Sequence, residues 1–410
     1  MTNVNGARRV VITGMGVVSA IGIGQDAFWD SLKNGRCGIG EVEGFDTSEL
    51  RCKIAAEVKD FDPKIHVKSR AVQLGDRYSQ FAGTAAEEAV EQSGITVPFE
   101  DPYRAAAIVG SGIGGLTTLE DAYHGLFAEG KRATHPLTLL RAIGSSASAH
   151  VSIEYGIKGP TFGVVSACST ATHAIGLTYQ MIQSGMVDSG VAGATEASLC
   201  LGATRAWQAL HVLSEKGLFP FSKERNGTVL GEGGGVLVLE ELEYAKARGA
   251  NIIAEIKGFG TTSDAADMVN PDIDGASGAI EQAMAQAGLS ASDIDYINAH
   301  GTATTINDVN ETQALKKVFG KAINDIPISS TKSMHGHCLG GGGAVESIAC
   351  LLAMQNNFVP PTVNLNEADP ECDLDYIPNQ GREKEVNYTV CNSFAFGGLN
   401  AVLVFGPDPS

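Results

Sequence analysis

Ser166-Ala167-Cys168-Ser169-Thr170-Ala171-Thr172-His173 is the stretch on which the reading of this chain turns. Just before it, the apolar run from Phe162 to Ala167 predicts a short buried strand. From Cys168 onward, small and helix-compatible residues continue to a stop at Gly185. Cys168 is thereby placed at a strand-to-helix junction, where free N–H groups and the helix dipole favour a thiolate. A lone cysteine in such a run is more often an inert core residue. Two downstream segments change that weighing: His300-Gly301-Thr302-Ala303-Thr304 and Lys332-Ser333-Met334-His335-Gly336-His337. A nucleophilic cysteine with remote histidine partners is a candidate catalytic set, judged by spatial roles and not by closeness in sequence.

Upstream, residues 9–18 (RVVITGMGVV) predict a strand running into a glycine turn. Asp76 to Ser93 has helical periodicity, with Phe81, Ala82, Ala85, Ala86 and Ala89 on one side. Ala105 to Gly110 reads as a strand, Leu139 to Glu154 as a helix, Asp188 to Thr195 and Gly235 to Leu239 as strands, and Glu240 to Arg248 as a helix. A second series opens at Ile252, with helices over 276–287, 311–319 and 344–354 and strands over 295–299, 326–329 and 402–405. Two successive α/β series of similar length predict two similarly built halves, divided near residue 255 and closely packed, since no long linker separates them. Gly14-Met15-Gly16 and the Gly110–Gly115 loop each lack the full spacing of a dinucleotide site, so backbone turns or pocket-lining loops are the better reading.

The balance of 43% hydrophobic and 19% charged residues argues against a disordered chain. A formal charge of -18 argues against a nucleic-acid binder, which needs a basic surface. An acidic partner would need a local basic patch, and Lys64, Lys68 and Arg70 form such a run. The eight cysteines show no C-x-x-C pair and no metal-finger spacing, as expected of reduced thiols in the cytoplasm. Met1 to Arg9 carries no apolar signal segment, and no apolar run is long enough to span a bilayer. A soluble, cytoplasmic protein that binds neither membrane nor nucleic acid is expected.

With Cys168, His300 and His337 in that order, the chain resembles the β-ketoacyl-acyl carrier protein synthases, above all the elongating type II class. The resemblance runs end to end through RVVITGMGVVSAIG (9–22), the Ala167-Cys168-Ser169 junction, VLGEGGGVLVLEELEYAKARGA (229–250), NAHGTAT (298–304), STKSMHGH (330–337) and NSFAFGG (392–398). It implies a thiolase fold: two similar αβαβα halves with mixed central sheets packed in five layers. Residues 1–255 would carry the nucleophile and residues 256–410 the two histidines. It implies a decarboxylating Claisen condensation of an acyl-enzyme thioester with malonyl-acyl carrier protein, in fatty-acid or polyketide elongation. Acyl carrier protein brings both substrates, no cofactor is needed, and the usual assembly is a homodimer.

Residue by residue, the resemblance makes Cys168 the acyl acceptor, with its own N–H and that of Phe396 forming the oxyanion hole at a gate loop. His300 and His337 would hydrogen-bond the malonyl thioester oxygen, with Lys332 and Glu346 as a supporting charged pair. Thr302 and Thr304 would bind the phosphopantetheine arm, and Ile113 and Trp207 would line the acyl pocket. Asn298, Ala299, Glu346 and Asn392 fall where some relatives hold a structural monovalent cation; no catalytic metal is implied.

Departures from the family pattern leave the chain type open. His335 stands where Thr is usual, Gly340 to Gly343 replace the commoner G-A-A-G, and Ala395 and Leu399 replace Gly and Thr of the closing loop. Ala395 lacks glycine's access to positive φ. These differences favour, as the alternative, the catalytic subunit of a specialised type II polyketide or polyene heterodimer, paired with a chain-length-factor-like subunit. A thiolase would need a second cysteine as base, for which only Cys391 offers itself. A non-catalytic chain-length subunit would lack the nucleophile that is present here.

Overall fold

The computed structural model describes residues 8–409; residues 1–7 and 410, and with them most of the stretch inspected for a signal segment, lie outside the described residues. The main strands are β1 (Val10–Ser19), β2 (Ala105–Gly110), β3 (Ser189–Glu196), β4 (Gly233–Glu241), β5 (Ala254–Ser263), β6 (Tyr296–Asn298), β7 (Ile328–Ser329), β8 (Thr389–Ala395) and β9 (Leu399–Gly406). They run in the order β7-β6-β8-β9-β5-β1-β4-β3-β2, with Gly22–Ile23 paired to β1 as a further short strand.

The order contains the same pattern twice. In one half β2 is parallel to β3, β3 antiparallel to β4 and β4 antiparallel to β1. In the other, β6 is parallel to β8, β8 antiparallel to β9 and β9 antiparallel to β5. The outer edges correspond too: Thr161 bridges Ala107 in parallel, and β7 pairs in parallel with β6. The halves join where Val10–Ile12 pairs antiparallel with Ala254–Ile256.

Six helices complete the layers: α1 (Arg77–Ser93), α2 (Ser146–Tyr155), α3 (Thr170–Gln183), α4 (Ile273–Ala287), α5 (Thr305–Phe319) and α6 (Gly342–Asn356). Asp76 caps α1 by accepting from Tyr78 N, and Gly94 ends it in the left-handed region at φ 61. The five periodic residues read from the sequence all lie on its buried face. α1 and α2 cover the outer side of the first half, through a core of Phe81, Ala85, Val109, Val151 and Val238. α4 and α5 cover the second through Ile280, Ala283, Leu315, Val390 and Val402. α3 and α6 lie between the sheets in the largest core, with Ile12, Met15, Ile175, Tyr179, Ile348, Leu351 and Leu403. Five layers and two like halves result, as the resemblance implies. α6 is buried on all sides from Gly342 to Ala353, so its sequence carries little amphipathic period.

Gly14 and Gly16 serve this packing. A Cβ on either would stand 1.9 or 2.0 Å from the carbonyl oxygens of Ala89 and Ala85 in α1. The sequence reading is corrected in three places. Residues 162–166 form no strand beyond the bridge at Thr161, and Phe162 and Val165 are 41% and 65% exposed. The Val164 carbonyl lies where a Cβ on Gly110 would stand, 2.5 Å away, so the segment crosses the sheet edge instead of extending the ladder. The helix expected over 139–154 is broken into Thr138–Ala142 and α2: Ile143 turns to an extended conformation, and the Ala142 carbonyl accepts from Gly115 N at 3.0 Å. Strand β8 and the helix Leu201–Ala209 had no counterpart in the sequence reading. Among the described residues, no helix is long and apolar enough to cross a membrane.

Candidate active site

Cys168 lies in a tight 3-10 turn, Ala167–Ser169, directly ahead of α3. Ala167 holds φ 48, a conformation unfavourable for a residue with a Cβ. The second half repeats this elbow. Leu339 holds φ 44 and opens the turn Leu339–Gly341 ahead of α6, so Gly340 occupies the position equivalent to Cys168. Below Cys168, His173 braces the turn: its Nδ1 lies 2.8 Å from Ser166 Oγ and 3.1 Å from Ser169 O, and its Nε2 2.9 Å from Thr261 Oγ1.

The two histidine segments converge on this elbow. His337 Nε2 is 3.1 Å from Cys168 Sγ, and the His337 backbone N–H donates to Val229 O at 2.8 Å. The His300 and His337 rings are 5.5 Å apart and nearly perpendicular. Lys332 Nζ lies 3.2 Å from His300 Nδ1 and forms an ion pair with Glu346 of α6. All five side chains are buried.

Burial governs their protonation. It pushes the Cys168 thiol up to about 12, with the Lys332 ammonium pulling the other way. The resting group is therefore a thiol: the helix start that suggested a thiolate is outweighed by desolvation. His300 and His337 are held well below the usual imidazole range, by burial first and by Lys332 second, and both rings are neutral near pH 7. Burial raises Glu346 to about 7 against the pull of Lys332.

Three carboxylates hold the loops, and sequence reasoning missed them. Glu311 accepts from His300 N and Gly301 N, both at 2.8 Å, and from Asn392 Nδ2 at 3.1 Å. Asp308, raised to about 6 by burial, accepts from Ala303 N at 3.1 Å and Phe221 N at 2.8 Å. Glu196, raised to about 7, accepts from Gly112 N at 2.8 Å and Gly340 N at 3.2 Å, tying two glycine loops together. A signal existed for two of them: Asp308 and Glu311 share the face of α5 that buries Leu315.

A cavity of about 220 Å³ opens onto Cys168, His300 and His337, and its lining includes Thr302, Thr304, Trp207, Phe394 and Phe396. The Thr302 and Thr304 hydroxyls are 3.0 Å apart. Trp207 stacks on Phe396 at 5.9 Å and 26°. Ile113 is not brought to this lining; its side chain is 43% exposed. Ala395 is the last residue of β8 and keeps a negative φ, the positive values falling on Gly397 and Gly398, so the expected constraint from its Cβ does not arise. Lys68 of the basic run is ion-paired to Glu87 and Glu91. Cys391 is fully buried in β8, away from the cavity lining, which removes the basis of the thiolase reading. Among the described residues, all eight cysteines are free.

Asn298 Oδ1, Asn392 Oδ1 and Glu346 Oε2 are buried without a hydrogen-bond partner among the described residues. Orphaned acceptors of this kind call for a cation or a donor. No cluster of three or more His, Cys, Asp or Glu suited to a metal ion occurs among the described residues.

Two like halves meet on a thiol that faces two neutral imidazoles. Residues 7–245 match the family model for the β-ketoacyl synthase N-terminal domain and residues 253–366 that for its C-terminal domain, and the chain belongs to the β-ketoacyl synthase family. It is 44% identical over 398 residues to nodulation protein E of Rhizobium sp. strain N33, covering 97% of this chain and 99% of that one. It is 42% identical over 405 residues to 3-oxoacyl-[acyl-carrier-protein] synthase 2 of Coxiella burnetii, covering 97% and 98%. The solved ishigamide ketosynthase/chain length factor superposes with a TM-score of 0.93 at 36% identity, over 98% of this chain and 100% of that one. The protein is a condensing acyltransferase of fatty-acid or polyketide elongation.

Proposed function

We propose that Cys168 is the acyl acceptor of this condensing enzyme and that acyl carrier protein delivers both substrates on phosphopantetheine. The observation that carries the reading is the 3.1 Å contact between Cys168 Sγ and a neutral His337 Nε2. As the thiol attacks an acyl thioester, its proton passes to His337. The C–S bond to the carrier breaks, and the departing thiolate takes the proton. Backbone N–H groups of Cys168 and Phe396 stabilise the oxyanion, and Thr302 and Thr304 hold the arm in the cavity they line. A malonyl thioester then enters with its thioester oxygen facing His300 and His337. Loss of CO₂ leaves an enolate, which attacks the acyl-Cys168 carbonyl. The bond from the acyl carbon to Cys168 sulfur breaks, the 3-oxoacyl thioester departs on its carrier, and the Cys168 thiolate takes up a proton from solvent. Lys332, paired with Glu346 and touching His300 Nδ1, directs the free Nε2 of His300 toward the substrate.

The orphaned oxygens on Asn298, Asn392 and Glu346 fit a structural monovalent cation, and those residues would hold it. Its positive charge would offset buried oxygens and stiffen the strand ends behind the histidines. No other cofactor enters the reading. The division near residue 255, the pocket role of Trp207, and a cytoplasmic location belong to the same proposal. The assembly is a homodimer or a heterodimer with a chain-length-factor-like subunit. The likeness to a ketosynthase/chain length factor and the uncovered Phe162 and Val165 favour a paired subunit as the second reading, with this chain as the catalytic partner.

Half-reactions test the assignment. Cys168→Ala should abolish acyl transfer and condensation while malonyl decarboxylation persists. His337→Ala should lower decarboxylation by about 10²–10³ while some acyl loading remains. Condensation by the alanine variant of Cys168, or decarboxylation unchanged without His337, would overturn it.

A further inference from the structure

His335 plays no part in the chemistry above, yet it is buried beside the histidine site. Its Nε2 lies 3.1 Å from Thr331 Oγ1, and Thr331 Oγ1 accepts from Asn298 Nδ2 at 3.2 Å. His335 Nδ1 faces Cys338 Sγ at 3.9 Å, and Cys338 Sγ lies 3.5 Å from Glu232 O. One direction along this row gives every member a partner. The Asn298 amide donates to Thr331, so the Thr331 hydroxyl proton must go elsewhere. His335 Nε2 is the acceptor in reach, which puts the ring proton on Nδ1, toward sulfur. The Cys338 thiol then donates to Glu232 O. The Cys338 thiol has His335 O at 3.6 Å as a further acceptor, and the row as a whole turns Asn298 Oδ1 away from Thr331.

That oxygen is one of the buried acceptors without a partner. Asn298 pairs in register with Cys391 and shares a strand face with Tyr296; Tyr296 and Cys391 lie in the core that contains α6, the helix bearing Glu346. Glu346 Oε2 is likewise orphaned. Two acceptors on facing elements need a cation or a shared proton between them.

We propose that His335 is a positioning residue: through Thr331 it locks the Asn298 amide so that its carbonyl oxygen is presented, with Glu346, to a monovalent cation. The inference rests on the cation reading given above. A neutral ring is required, and burial holds His335 at about 3, so it stays neutral at working pH. Without an acceptor at position 335 the Thr331 hydroxyl can turn toward Asn298 and accept its amide in either orientation, and the carbonyl is no longer fixed. Partners of this kind behind a ligand typically change metal affinity by about 10–100-fold when removed.

The test uses the full-length protein with K⁺ as probe and tetramethylammonium as the control for ionic strength, reading thermal midpoints across a titration. A cation held by the folded state raises the midpoint by mass action. The wild type should show a K⁺-specific rise. His335→Gln, whose amide oxygen restores an acceptor, should keep it. His335→Leu should need about tenfold more K⁺. An equal K⁺ response in the leucine variant overturns the role of His335 while leaving the cation reading intact. Absence of any K⁺-specific rise in wild type removes the cation reading. The tautomer is decided independently, by ¹⁵N shifts of histidine-labelled wild type with His335→Gln supplying the assignment. A proton on Nδ1 supports the lock, and a proton on Nε2 overturns it even if the leucine variant fails to fold.

Discussion

Cys168 shows how a local rule can place a residue and still misjudge its state. The motif positioned it at a helix start, where a dipole favours the anion, but complete enclosure sets the balance and the thiol waits protonated. Under the proposed assignment, charge at this site is made during the reaction, by proton transfer to His337. The same burial creates a dependence of stability on pH that can be isolated at His335. Its folded-state value, about 3, lies below the ordinary 6.5, so the fold favours the neutral ring. That contribution is complete above about pH 6.5 and declines as pH falls, because the unfolded chain takes up a proton that the fold refuses. At pH 5.5 the loss is about 1.4 kcal/mol. Urea unfolding of wild type and His335→Gln should show their stability difference shifting by that amount against wild type between pH 8 and 5.5. A difference constant across that range would mean that His335 titrates in the fold as it does in the unfolded chain, and a shift in favour of wild type that it is protonated in the fold.

Elements were legible wherever one face is dry and the other wet, as in α1, and illegible where burial is total or the element ends in a functional loop. β8 escaped notice because its sequence was read as the NSFAFGG loop, and Asp308 and Glu311, on the buried face of α5, were hidden because their partners are backbone amides of the loop ahead of the helix and of Phe221. The four-glycine run now has a physical reading. A Cβ on Gly341 would stand 2.4 Å from Gly233 O in β4, whereas one on Gly342 would meet nothing nearer than His337 Nδ1 at 3.9 Å. Gly342→Ala at the start of α6 should therefore be neutral or stabilise by up to about 1 kcal/mol, and Gly341→Ala should cost about 1–3 kcal/mol. Equal thermal midpoints for the two variants would contradict the packing of the second elbow against β4. The helix Leu201–Ala209 carries the other readable departure, Trp207 stacked on Phe396. Loss of that stack in Trp207→Phe should change which saturated and polyunsaturated acyl carrier proteins load Cys168 more than Ala395→Gly does, since Ala395 lies in strand geometry and needs no positive φ. Identical loading profiles for both variants and wild type would remove Trp207 from chain selection.

At the scale of the whole molecule the two halves were legible as two successive series, but their equivalence was not. Ala167 and Leu339 share a backbone conformation, and Cys168 and Gly340 a position, with no common residue to reveal it. Their mutual dependence is also a property of the folded state alone. α3 and α6 come from different halves and share one core. The ring of Phe259 in β5 occupies the place of the absent Cβ of Gly176 in α3, and Thr172 Oγ1 in α3 stands 2.1 Å from where a Cβ of Gly343 in α6 would be. Neither half can bury its inner face without the other, so unfolding should be a single event despite the length of the chain. The two tryptophans report on this directly. Trp29 packs edge-on against Phe358 at 6.0 Å, and Trp207 stacks on Phe396, each reaching from the first half into the second. Tryptophan fluorescence therefore follows separation of the halves, and far-ultraviolet circular dichroism follows loss of their secondary structure. The two probes should give coincident urea transitions at constant protein concentration. A fluorescence change that precedes the loss of dichroism would mean that the halves part while still folded, and that the middle layer does not bind them into one unit.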